Sequence, residues 1–218
     1  MINKQLLLSI PLVCLVVSAR AQVTDTVKKQ PADTATHKII ADTIAKATPL
    51  KLDTLKYDSL MTRMANGDAS GRWPVKNAPY PLPGAILPFN RIVAYYGNMY
   101  SKNMGVLGEY APKVMLSKLQ AEVKAWEAAD PATPVVPALH YICVTAQAYA
   151  GKNGLHNLRM PFSQIDKVLE MAKPINALVF LDFQVGFSTV QQEIPRIEKY
   201  LQMPNVNVGI DPEFSMKE

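Results

Sequence analysis

NALVFLDFQVG, residues 176–186, is the stretch that decides the fold class. Ala177 to Leu181 are apolar without interruption, the signature of a strand buried on both faces, as in a parallel sheet covered by helices. Asp182 and Gln184 follow, two positions apart, and Gly186 closes the run. Side chains alternate along a strand, so a spacing of two aims the carboxylate and the amide to the same side. NVNVGIDPEF, residues 205–214, repeats the arrangement with Asp211 and Glu213.

Working outward from that strand, strands and helices alternate. RIVAYYGN (91–98) reads as a strand, and PKVMLSKLQAEVKAWEA (112–128) as a helix. Pro112 suits the first turn of that helix, and Val114, Leu116, Leu119, Val123 and Trp126 form its apolar stripe. TPVVPALHYICVTA (133–146) is a second strand, kinked or delayed by Pro137. PFSQIDKVLEMA (161–172) is a second helix, capped by Ser163, with Ile165, Val168, Leu169 and Ala172 on one face. The strand at 176–184 comes third. TVQQEIPRIEKYLQM (189–203) is a third helix bent at Pro195, and VNVGID is the fourth strand. This order predicts an α/β fold of parallel β/α units with crossover helices.

In such a sheet every strand delivers its last residues to one edge, where loops and ligands also gather. Tyr96 and Asn98 close strand one, and His140 sits along strand two. Asp182 and Gln184 close strand three, and Asp211 and Glu213 close strand four. Of the neighbours Tyr95 and Tyr96, only one can face that edge; the other must face the helices. Paired carboxylates at a strand edge suit acid–base work at an anomeric carbon, where one is protonated and its partner ionised. The candidate catalytic residues are Asp182, Glu213 and Glu109, the last in the loop MGVLGEYAP (104–112). The candidate substrate contacts are Tyr96, Asn98, His140, Gln184 and Asp211. Each has a plain structural alternative: a loop cap for Asp182, a turn start for Asp211-Pro212, a core position for His140.

Other chemistries lack their motifs. Neither GxGxxG nor GxxxxGK[ST] occurs, and the glycines at 105 and 108 make no phosphate loop, so no cofactor is expected. No GxSxG elbow is present. Three dispersed histidines and one cysteine in the folded part make no zinc pattern. A hard cation held by Asp182, Asp211 and Glu213 is the one metal arrangement the acids would permit.

The 218 residues carry 23 lysines and arginines against 18 acids, a formal charge of +5. No run of five like charges and no basic stripe with interleaved aromatics occurs, so nucleic acid is not an expected partner. MINKQLLLSIPLVCLVVSARAQ reads as a secretory signal: Lys4, an apolar segment from Leu6 to Val17, and Ala19-Arg20-Ala21 before cleavage at Gln22. That segment is too short to span a bilayer, so no stable membrane span is expected after cleavage, and the product is exported. Cys143 would then stand alone as a small core residue. Residues 22–59, with Asp-Thr recurring among lysines and alanines, read as a disordered tether. Residues 60–90 are proline-rich and irregular, anchored by Trp73, Tyr80 and Phe89. The folded domain spans 91–218.

At RIVAYYGN, MGVLGEY, LDFQVGFSTV and VGIDPEF the chain resembles an uncharacterised family of exported bacterial proteins. The resemblance covers about residues 88–218 and rests on Tyr96, Gly97, Glu109, Asp182, Gln184, Asp211 and Glu213. It implies a TIM-type barrel similar to the catalytic domains of glycoside hydrolases, with no activity established for the family. Members of that family continue beyond the DPEF motif, so the chain reads as C-terminally truncated. A closed barrel takes eight strand–helix units, whereas about four strands are legible. A half barrel leaves exposed sheet edges prone to self-association. The function expected is carbohydrate binding or hydrolysis by carboxylates at the strand edge. The alternatives are a non-catalytic envelope protein binding a glycan or peptide, and a metal-dependent hydrolase. Whether the chain is an enzyme stays open at this level.

Overall fold

The structure is a computed structural model that describes residues 51–216, Lys76 excepted. The expected signal segment and most of the expected tether lie outside the described residues. Five strands form one sheet: β1 (Arg91–Gly97), β2 (Val135–Ala146), β3 (Asn157–Arg159), β4 (Leu178–Phe183) and β5 (Val206–Ile210). The main path runs β1-β2-β4-β5, and all three of its pairings are parallel. The short β3 pairs antiparallel with the end of β2. The order of elements read from the sequence has no strand here, because three residues are too few to show a period. The architecture is therefore α/β with an open sheet; it does not close on itself.

Two outcomes of local chemistry shape β2. Pro137 has no N–H to give, yet the strand runs through it. The reason is position: pairing with β4 begins only at Ala138, one residue later. Further on, a bulge between Ile142 and Val144 shifts the register, and Cys143 turns its thiol to donate to the Asp182 carbonyl at 3.2 Å. Cys143 is a buried core residue, as its apolar neighbours predict, and burial pushes its thiol pKa up.

One face of the sheet packs on helices. Leu139, Tyr141, Val179, Leu181 and Phe183 meet Leu107 of α2 (Val106–Glu109) and Met115 and Leu119 of α3 (Pro112–Ala129). Ile165, Val168, Leu169 and Ala172 of α4 (Phe162–Ala172) complete that layer, on the face their spacing predicts. Burying each such side chain is worth about 2 kcal/mol. In α3 the buried pair is Met115 and Leu119, so the expected stripe is rotated: Val114 and Trp126 are both about half exposed. Trp126 instead lies under the Arg91 guanidinium, 5.0 Å from its carbon, a cation–π contact at the sheet's start. Ser163 is not a cap; Pro161 precedes α4, and no side chain caps it.

Pro195 does more than bend the third helix. It breaks it into α5 (Val190–Glu193), a 3₁₀ turn at Ile194–Ile197 and α6 (Glu198–Leu201). Residues 54–59, read as tether, belong to a helix, α1 (Thr54–Ala65). Asp53 caps it by accepting the Lys56 N–H at 2.9 Å, and Arg63 donates to Thr133 at 2.7 Å and to Asp130 at 3.3 Å. No residue of α1 is fully buried, but Tyr57, Leu60, Met61 and Ala65 make a half-buried face at helical spacing. Of the expected anchors, Phe89 and Tyr80 pack on Tyr57 of α1, with ring centroids 6.3 and 5.4 Å away.

Candidate functional site at the carboxyl edge of the sheet

Parallel register aligns the side chains of the face opposite the helices into rows. Tyr96, His140, Phe180 and Asn207 are partners across β1, β2, β4 and β5. Ile142, Asp182 and Gly209 form the next row. Gln184 and Asp211 follow directly on β4 and β5. Tyr95 belongs to the other face and packs with the helix-side core, so only Tyr96 reaches the open side.

At the mouth, three side chains form a closed hydrogen-bonded set. The Tyr96 hydroxyl donates to Asp211 Oδ2 at 2.8 Å. Gln184 Nε2 donates to the Tyr96 oxygen at 3.1 Å and to Asp211 Oδ2 at 3.2 Å. Gln184 Oε1 accepts the Ala146 N–H at 3.1 Å, so the amide is fully used and acts as a brace. Burial pushes the Tyr96 pKa up, and its bond to Asp211 adds to that, so the phenol is a neutral donor. Tyr96, Gln184 and Asp211 line an open cleft of about 470 Å³ together with Glu213, Met104 and Phe214. Glu213 sits exposed in the 3₁₀ turn Pro212–Phe214 that follows β5.

Below the mouth, His140 of the first row and Asp182 of the second face each other. His140 Nε2 is 3.3 Å from Asp182 Oδ1, within ion-pair range. The contact is not aligned as a hydrogen bond, and neither Asp182 oxygen has a hydrogen-bond partner. Asp182 is 0% exposed, and this desolvation raises its pKa; the neighbouring Asp211 pushes it further up while His140 pulls it down. Gly209 makes the approach possible: a Cβ there would lie 2.6 Å from His140 Nε2 and 2.7 Å from Asp182 Oδ1.

The structure thus brings Tyr96, Gln184, Asp211 and Glu213 to one cleft and places His140 and Asp182 beneath it. It does not bring all eight candidates together. Asp182 is sealed from solvent, so it cannot touch a substrate in this conformation. Asn98 is buried and spent on structure: Nδ2 donates to the Ile142 carbonyl at 2.9 Å and Oδ1 accepts the Tyr100 N–H at 2.8 Å. Glu109 is exposed at the end of α2, beside the Tyr110 hydroxyl, and does not line the cleft. The loop glycines serve chain packing. A Cβ at Gly105 would meet the Tyr96 carbonyl at 2.3 Å, and one at Gly108 the Asn98 carbonyl at 2.1 Å. Among the described residues no group of three potential ligands assembles to hold a metal, so Asp182, Asp211 and Glu213 do not form a cation cage.

Sequence reasoning missed Asn103, Met104 and Phe214 on the cleft wall. Neither a period nor a motif marks them; they arrive through the loop after β1 and the turn after β5. It also missed a buried ion pair. Glu193, 0% exposed, takes two hydrogen bonds of 2.8 Å from Arg159 and a third from Ser188, tying β3 to α5. No family model, no curated protein and no solved structure matches the chain.

Proposed function

We propose that this chain is an exported glycan-binding protein built on half of a TIM-type barrel, with Asp211 and Glu213 as its ligand contacts. The observation that carries the reading is the Tyr96–Gln184–Asp211 set on the wall of a solvent-open cleft. The donors of Tyr96 and Gln184 are consumed within the set, so what the set leaves free, with Glu213 beside it, is acceptor oxygen, while Asn103 on the wall carries an amide that can donate. An acceptor-rich cleft with apolar walls from Ile142, Met104 and Phe214 suits a ligand with vicinal hydroxyls and apolar C–H faces. A saccharide has both.

A second reading, hydrolysis, draws support from the two carboxylates at one mouth. In it Asp211 is held by two donors and Glu213 stands exposed at the same mouth. Asp182 then acts only through what lies above it. No step in either reading is routed through a metal.

The test is retention of the full chain on immobilised polysaccharides, with release of reducing ends followed in the same samples. Glycan binding should weaken tenfold or more in Asp211→Asn and Glu213→Gln, about 1.4 kcal/mol. Wild-type binding to no glycan, or undiminished binding by both variants, would sink the reading. Turnover lost in Asp211→Asn with binding merely weakened would favour hydrolysis. N-terminal sequencing of the exported product tests the leader, with Gln22 expected first.

A further inference from the structure

We infer that the amino edge of the sheet carries a second binding site, a cavity beside α1 that takes an amphipathic monocarboxylate, an alkyl or aryl acid held by Arg63. Arg91 opens β1 and Thr133 sits just before β2, and a cavity of about 390 Å³ lies against them. This is the opposite end of the strands from Tyr96 and Asp211, so the site stands apart from the glycan reading. Its volume falls in the range of pockets that take small ligands.

The walls are mostly apolar and open to solvent. Met61 and Met64 come from α1, Trp73 and Leu87 from the proline-rich segment, and Ile92 from β1. Met64, Trp73 and Leu87 are each about half exposed. Large apolar side chains that line a concave surface and still face water mark a ligand groove, not a finished core. The unbranched methionines let such a wall adjust to tails of different shape.

Charge selects the headgroup. Asp130 lies behind the lining and takes three donors on a single oxygen: Thr133 Oγ1 at 2.8 Å, Arg91 Nη2 at 3.2 Å and Arg63 Nη2 at 3.3 Å. Two guanidiniums against one carboxylate leave a surplus of one positive charge. Among the described residues the lining itself holds no carboxylate to cancel it. Arg91 is locked between Asp130 and the face of Trp126, and its Nη1 is enclosed, so it contributes field and not contact. Arg63 is different. Its side chain is half exposed, and its hydrogen bonds among the described residues use only Nη2. Nε and Nη1 keep donors for a planar acceptor with two oxygens, which a carboxylate provides. A phosphate dianion would meet a single surplus charge with Asp130 close behind it. A neutral headgroup would leave that surplus unanswered.

Titration calorimetry of the full chain with decanoate, decan-1-ol and decyl phosphate tests the site. Decanoate should bind one to one, at least tenfold more tightly than decanol and more tightly than decyl phosphate. Arg63→Met should cost decanoate tenfold or more and leave decanol affinity unchanged, which a misfolded variant could not do. Leu87→Glu sets a negative charge on an exposed wall position away from the Arg63 contacts. It too should weaken decanoate tenfold or more, with unchanged circular dichroism. No saturable decanoate binding by the wild type overturns the inference, as does equal affinity for decanol or tighter binding of decyl phosphate. Undiminished decanoate binding by Leu87→Glu overturns it as well.

Discussion

Tyr96 and Asp211 lie 115 positions apart in the chain and 2.8 Å apart in the fold. One sits at the end of the first strand and the other just past the last, so this single hydrogen bond spans the whole sheet. It also explains why the cleft has shape: the bond holds the mouth's two sides at a fixed separation, and Gln184 fills the space between them.

Tyr96→Phe removes that hydroxyl and leaves the Gln184 amide and Asp211 short of a partner. The expected loss is about 1 kcal/mol, or a fall of about 2–4 °C in melting temperature. Glycan affinity should fall with it, because Asp211 loses its fixed position. Calorimetry of the variant beside wild type measures both; an unchanged melting temperature would show that the bond is not formed in solution.

Asp182 predicts a pH signature. Its folded-state pKa is raised by burial, so the folded chain keeps this proton where the unfolded chain, with a pKa near about 3.9, has released it. The stabilisation is complete below that value and is lost as pH rises through the folded one. Asp182→Asn has no carboxyl to ionise. Its melting temperature should therefore gain on wild type as pH rises from about 4 through the folded-state pKa of Asp182. A difference that stays flat across that range would mean that Asp182 is not strained by desolvation.

Arg159→Met should be among the costliest single changes outside the core. It leaves Glu193 buried with Ser188 and Asn157 as its remaining close donors. Removing one partner of a buried pair costs about 3 kcal/mol, at the low end here because Arg159 still touches solvent. Replacing both partners with methionine should recover most of that in urea unfolding. Arg159 and Ser188 hold Glu193 below the ordinary carboxylate range against the pull of burial. Its contribution is thus present above about pH 4.3 and lost as pH falls through the folded value.

Gly209→Ala forces a methyl to within 2.6 Å of His140 and 2.7 Å of Asp182. Overpacking of this kind costs about 1–3 kcal/mol. Shortening the opposing side chain in the double variant Gly209→Ala/Asp182→Ala should return part of the stability. If the double variant is no more stable than Gly209→Ala, the clash lies elsewhere.

How much of this was legible follows from the length of each signal. β4 announces itself by a continuous apolar run, β1 and β2 by mostly apolar stretches, β5 by apolar residues at alternate positions, and α4 by four apolar residues at helical spacing. That Asp182 and Gln184 share a side follows from alternation alone, as does the rule that only one of Tyr95 and Tyr96 faces the open side; the structure makes it Tyr96. What failed was short or compensated. β3 is three residues long, α1 has no fully buried residue, and Pro195 sits where a helix pattern continues on both sides of a real break.

Alternation along a strand determined which of the strand-borne candidates share a side, because that choice is local and has a period of two. Depth and company were decided only by the assembled sheet. Asp182 and Gln184 share a face, yet one is sealed without a hydrogen-bond partner and the other braces a tyrosine at the mouth. The bulge in β2, the curl that brings Tyr96 to Asp211 and the missing Cβ at Gly209 create that difference. Each is a property of strands meeting one another, and no single segment contains it.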